Sequence, residues 1–111
     1  MGLARNIDIT AGQYRTLLAL LQRHLPDTEA WAYGSRAKRT SNPKSDLDLV
    51  VFSTPDQRAR VGDLREALEE SNLPFRVDLF VWNDVPNSFR RQIRAEHVVV
   101  CRPRPTPSSS P

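Results

Sequence analysis

Apolar positions recur every three or four residues in the first part of this chain and every second residue further on. Tyr14, Leu17, Leu18, Leu21 and Leu25 share one face at helical period. Thr10 and Gln13 stand at capping-box spacing, and Pro26 follows the last apolar position as a stop. "EAWAYGS" reads as a short strand broken by Gly34. "DLDLVVF", Asp46 to Phe52, alternates. Leu47, Leu49 and Val51 point one way, and Asp46, Asp48, Val50 and Phe52 the other. In the next segment Ser53 or Thr54 can cap a helix, Pro55 suits its first turn, and Val61, Leu64 and Leu68 face a core. "PFRVDLFVW" is a third strand, with Val77, Leu79 and Val81 on one side and Arg76, Asp78, Phe80 and Trp82 on the other. "NDVPNSFRRQIRAEH" predicts a capped, basic last helix, and "VVVC" a closing strand.

Helices and strands thus alternate, and two strands each carry aspartate on one face. A helix laid over that face would bury the charges. The helices are therefore expected on the opposite face, in a two-layer α/β (α+β) domain whose aspartate side is open. The chain has 111 residues, no internal repeat and no interdomain linker, so one domain over 1–102 is expected. Residues 103–111, Pro/Ser-rich and without apolar anchors, are expected to be a disordered tail.

Composition changes this picture little. No apolar run is long enough to span a bilayer. The start lacks a signal-peptide core, and Asn6 stands where a myristoylation signal has Ser or Thr. A cytoplasmic protein with no membrane association is expected. The single cysteine, Cys101, cannot form an internal disulfide and reads as a small buried hydrophobe in the closing strand, the alternative being a reactive thiol. Zinc-type Cys/His spacing is absent from the sequence. The net charge of +3 falls to +1 without Arg102 and Arg104, so the high pI is a poor argument for a nucleic-acid binder. "FRRQIR" reads as a basic helix face, and direct nucleic-acid binding is not expected. His24, near the end of the first helix, reads as a solvent-facing residue or a partner of the helix dipole.

The chemistry lies in "YGSRAKRTSNPKSDLDLVVF", Tyr33 to Phe52. Asp46 and Asp48 point the same way from a strand, about 7 Å apart at Cα, and can reach round one hard divalent cation. Asp78, on another strand with the same type of face, can supply a third carboxylate; paired structurally with Arg76 is the other reading. Three clustered aspartates without a counter-ion would repel one another, and one or two Mg²⁺ ions would remove that repulsion. Two ions would also support in-line displacement at phosphorus. Gly34 permits a tight turn and close approach of a ligand. Ser35 and the amides that follow can open a short helix whose N-terminus attracts phosphate, with Arg36 and Lys38 as charge partners for a triphosphate. Phe80 and Trp82, on the aspartate side, can be core, base-stacking or partner-contact residues.

Gly34-Ser35, ten intervening residues and Asp46-Leu47-Asp48 together resemble the signature of the DNA polymerase β-like nucleotidyltransferase superfamily. "YGSRA…SDLDLVV" is similar in particular to its minimal single-domain members, the MNT (MntA-type) antitoxins encoded beside HEPN toxins. The resemblance covers residues 11 to 101. It implies a short mixed sheet backed by helices, ATP as substrate and two Mg²⁺ ions. Gly34 and Ser35 would bind the ATP phosphates, Asp46 and Asp48 would ligate both ions, and Asp78 would bind the catalytic ion and help to deprotonate the acceptor. The implied acceptor is a tyrosine of a HEPN RNase toxin, blocked by one or more AMP units. The sequence departs from the usual pattern at Arg39, where relatives often carry Gly. The alternative function is an antitoxin or adaptor acting by binding alone. Arg91 and His97 resemble the Arg-His spacing of HEPN RNases, but the chain lacks the helical bundle that would pair such sites.

Overall fold

The structure is a computed structural model that describes residues 7–34 and 45–103. Helix α1 (Ala11–His24) starts at a complete capping box. The Gln13 amide N–H donates to Thr10 Oγ1 at 3.1 Å, and the Thr10 N–H donates to Gln13 Oε1 at 2.9 Å. Leu17 and Leu21 are buried, as is Leu25 just past the helix end. Tyr14 packs against them, and its hydroxyl donates to the Val100 carbonyl at 2.9 Å. Leu20, rather than the expected Leu18, joins this core. Period tells which residues share a face, whereas the neighbouring elements decide how far the core wraps round the helix.

Strand β1 (Ala30–Tyr33) follows, then β2 (Leu47–Val51). A 3₁₀ turn at Pro55–Gln57 leads into α2 (Arg58–Glu69). Thr54, not Ser53, caps the turn: its N–H donates to Gln57 Oε1 at 2.8 Å, while Ser53 is buried. Strand β3 (Val77–Val81), a 3₁₀ turn at Trp82–Asp84, α3 (Asn87–Ala95) and β4 (Val98–Cys101) complete the described chain. The sheet is mixed, in the order β3-β2-β1-β4. β1 runs antiparallel to β2 and β4, and β2 and β3 are parallel.

The main core lies on one face of the sheet. Leu47, Leu49, Val51, Leu79 and the two alanines of β1 meet Leu17 and Leu21 of α1 and Val61, Leu64 and Leu68 of α2 there. The alternation in β2 and β3 therefore orients both strands as the sequence predicts. α1 and α2 occupy the face opposite the aspartates, as expected. α3 differs, because it lies against part of the aspartate side. Its Arg90 and Arg94 guanidinium carbons stand 5.2 and 5.0 Å from the centroid of the Trp82 ring. Trp82 in turn meets Phe52 and Trp31, at 4.9 and 5.6 Å between centroids, and His97 stacks on Trp31 at 3.7 Å. Val50 and Ile93 are buried but stand outside the main core. The half of that face beyond the aspartates is thus apolar enough to hold a helix, and only the half that carries charge stays open. α3 also starts without the expected cap: Pro86 is its N-cap residue and makes no side-chain hydrogen bond.

Cys101 is half-buried, and its thiol donates to the Thr28 carbonyl at 3.4 Å. Burial pushes the thiol pKa up, which fits the packing reading rather than a reactive one. Among the described residues, no helix is long and apolar enough to cross a membrane.

Candidate active site

Three neighbouring strands bring the site together at one end of the sheet. Asp48 of β2 stands opposite Tyr33 of β1 on one side and beside Asp78 of β3 on the other. Residues in register on adjacent strands point to the same face, so these three side chains form a row across the sheet. Asp46 lies two residues before Asp48, on the same side and exposed at the entrance to β2.

The row is electrostatically strained in favour of protons. Asp48 has its pKa raised, first by desolvation and then by the charges of Asp78 and Asp46. Tyr33 is pushed up to about 12 by burial, with Asp48 and Asp78 adding to the effect. Arg76 offsets part of this negative charge. Its Nε donates to Asp78 Oδ1 at 2.9 Å, so the pairing of these two side chains is realised. Arg76 is 75% exposed, which makes the ion pair a solvent-screened one.

Gly34 closes the row. Its φ is +83°, a region that favours glycine. A Cβ built there would stand 2.5 Å from Asp48 Oδ2. The turn and the carboxylate therefore touch, and glycine is needed both for its backbone angle and for the space. Of the residues singled out in the sequence, Gly34, Asp46, Asp48 and Asp78 converge here. Ser35, Arg36, Lys38 and Arg39 lie outside the described residues.

Tyr33 joins the site from outside the Gly-Ser and Asp-Leu-Asp motifs. The signal was available in "AWAY", where Trp31 and Tyr33 alternate with the core residues Ala30 and Ala32. That alternation puts Tyr33 on the aspartate side immediately before the glycine turn. Strand alternation places Phe52 and Trp82 on this side, whereas the aromatic group they form with Trp31 and His97 depends on how the strands pair.

Among the described residues, no group of three or more His, Cys, Asp and Glu is placed to hold a metal ion. Asp48 and Asp78 make a two-carboxylate arrangement, with Asp46 at its rim. Mg²⁺ is commonly held by one or two carboxylates together with water and substrate phosphate oxygens. The mutual repulsion at Asp48 is what a bound cation would relieve, so the donor set fits that group.

Residues 16–105 match the family described as Polymerase beta, Nucleotidyltransferase. The chain is 39% identical over 95 residues to the probable protein adenylyltransferase MntA of Haemophilus influenzae, covering 85% of this chain and 83% of that protein. Two solved structures share the fold at low identity. One is a chain of a mutant MntA toxin–antitoxin complex, with 22% identity, a TM-score of 0.64 and coverage of 86% of this chain and 74% of that one. The other belongs to a toxin–antitoxin complex with AMP-PNP, at 19% identity, a TM-score of 0.58 and coverage of 86% and 76%.

Proposed function

Because the chain belongs to the polymerase β nucleotidyltransferase family, we propose that it is an antitoxin that transfers AMP from ATP to a tyrosine hydroxyl of a cognate HEPN RNase toxin. The modification would neutralise the toxin. The observation that carries this reading is the row formed by Gly34, Asp48 and Asp78 on an open sheet face. It occurs in a chain closely similar to a probable protein adenylyltransferase.

In this reading the Gly34 turn receives the phosphates of ATP, and Ser35, Arg36 and Lys38 add donors and positive charge to them. Asp46, Asp48 and Asp78 would hold two Mg²⁺ ions, which would supply neutralisation of the charge on the α-phosphate and the leaving pyrophosphate. The acceptor oxygen attacks the α-phosphorus. The bond from that phosphorus to the bridging oxygen breaks, and pyrophosphate leaves with the electron pair. The hydroxyl proton passes to the Asp78 carboxylate, whose Oδ1 is oriented by Arg76. Positioning and electrostatic stabilisation carry most of the rate in such a transfer.

The test is the intact mass of the purified toxin after incubation with this protein, ATP and Mg²⁺, beside an Asp46→Asn, Asp48→Asn double variant. The reading expects increments of whole AMP units with the wild type alone. A folded double variant that still modifies and neutralises the toxin would refute the assignment of the aspartates. A stable complex without any mass increment would hand the function to binding alone.

A further inference from the structure

β2 and β3 run parallel, and α2 crosses between them. The carboxyl ends of the two strands and the start of α2 therefore meet at one end of the sheet, on the face opposite the aspartates. In open α/β sheets the crevice outside the carboxyl ends of the strands is the usual place for a ligand. Here it holds a cavity with an open volume of about 70 Å³, several times the space a single water needs. Gly34, Asp46, Asp48 and Asp78 have no part in its lining.

One buried group of the lining is unsatisfied. Ser53, just past the end of β2, is 5% exposed, and its Oγ has no hydrogen-bond partner among the described residues. Buried hydroxyls are normally paired, because an unpaired one gives up its water for nothing. The cavity beside Ser53 is where the missing partner belongs. The other polar groups are mainly cationic. Arg65 Nε and Nη2 both donate to the Leu79 carbonyl, at 3.3 and 3.0 Å. These bonds fix the guanidinium at the cavity wall with N–H donors to spare. Arg58, the first residue of α2, also lines the cavity, and Asn83 adds an amide. Asp84 is the acidic member of the lining, so two arginines face one carboxylate and a single positive charge is left over. Pro55, Val61 and Val81 supply apolar walls.

These features select among anions. The surplus charge matches a monoanion, whereas a phosphate dianion would bring a second charge towards Asp84. The valines favour an alkyl stem behind the charged end. A carboxylate accepts from arginine in the two-pronged geometry that suits both groups, and its remaining lone pairs can accept from a hydroxyl. We propose that this cavity binds a short carboxylate with an apolar stem. Its oxygens are held by Arg58, Arg65 and the Ser53 hydroxyl, and its stem lies against Val61 and Val81. Two sources present this chemistry: a free small carboxylic acid, and an aspartate or glutamate side chain of a bound partner protein.

The experiment titrates sodium propionate into the full isotope-labelled chain at constant ionic strength and follows the backbone amide shifts. Propionamide and inorganic phosphate are titrated alongside. Propionate is expected to give a saturable shift centred on residues 53–58 and 83–84, and propionamide none. Arg58→Gln and Ser53→Ala are each expected to weaken propionate about tenfold, the loss of one hydrogen bond to a charged group. Arg58 is exposed, and Ser53→Ala removes an unpaired hydroxyl, so both variants are expected to fold. Without propionate, Ser53→Ala should melt no lower than the wild type; with it, the wild type should gain more in melting temperature than the variant. Propionamide or phosphate bound as tightly as propionate would overturn the proposal. So would shifts that do not saturate, or wild-type affinity in both variants. Repeating the titration with the toxin bound identifies the source. Loss of propionate binding would assign the site to an acidic side chain of that partner, and retained binding would assign it to a free acid.

Discussion

Replacing Gly34 with alanine tests the site through its backbone. Alanine at φ +83° enters the left-handed region, at a cost of about 1–2 kcal/mol, which for a domain of this size lowers the melting temperature by roughly 5–15 °C. The larger effect is local. The new Cβ would stand 2.5 Å from Asp48 Oδ2, well inside contact, so the carboxylate must move by on the order of 1 Å, a displacement that can cost about a hundredfold in rate. The assay is the initial rate of toxin modification by intact mass, measured well below the melting transition and paired with thermal unfolding. Gly62 supplies the control, since it lies in α2 and its added Cβ would meet nothing within 4 Å. Gly62→Ala should raise stability by about 0.5–1 kcal/mol and leave the rate unchanged. A Gly34→Ala protein that transfers AMP at the wild-type rate would refute the argument. So would one whose rate falls only in proportion to its unfolded fraction, because Asp48 would then not be the group displaced.

Three further outcomes follow from the same geometry. Tyr33 stays protonated well above the ordinary tyrosine range, so phenolate absorbance of the native protein should include a step near pH 12, lowered in Asp48→Asn. Since the unfolded chain releases this proton near pH 10, stability should fall as pH rises from 10 towards 12; a native titration complete by pH 10 would contradict the placement of Tyr33. Trp82→Ala removes a half-buried ring that meets Phe52, Trp31 and two arginines, and should cost about 1–3 kcal/mol in denaturant unfolding; a change below about 0.5 kcal/mol would mean that α3 is held by other contacts. Arg76→Ala breaks an exposed ion pair and should alter stability by less than about 1 kcal/mol; a much larger loss in a thermal melt would show that the Arg76–Asp78 pair is structural.

Much of the candidate site was legible along the chain because its determinants are local. Asp46 and Asp48 share a face through the two-residue period of a strand, and Gly34 marks a turn whose backbone angle suits glycine. The capping box at Thr10 and Gln13 is equally local, a matter of three residues. The strand faces were legible for the same reason, down to the inward set of Leu47, Leu49 and Val51. Expectations weakened wherever one element had to choose another. The uncapped start of α3 and the inclusion of Leu20 in the core are cases in point, since both depend on what packs alongside.

By itself, then, the sequence determined which side chains share a side of each strand, where the first helix begins, and that carboxylates and a glycine turn belong to one stretch. Tertiary structure decided which carboxylates meet. Alternation orients a strand but says nothing of its neighbour or its register, and a shift of one residue between β2 and β3 would have sent Asp78 to the opposite face from Asp48. The observed register also sets Tyr33 against Asp48. It was likewise the three-dimensional fold that put α3 on the aspartate side. The charge that keeps a helix away ends with Asp48 and Asp78, and beyond them Val50, Phe52 and Trp82 offer an apolar surface on which a cationic helix can rest.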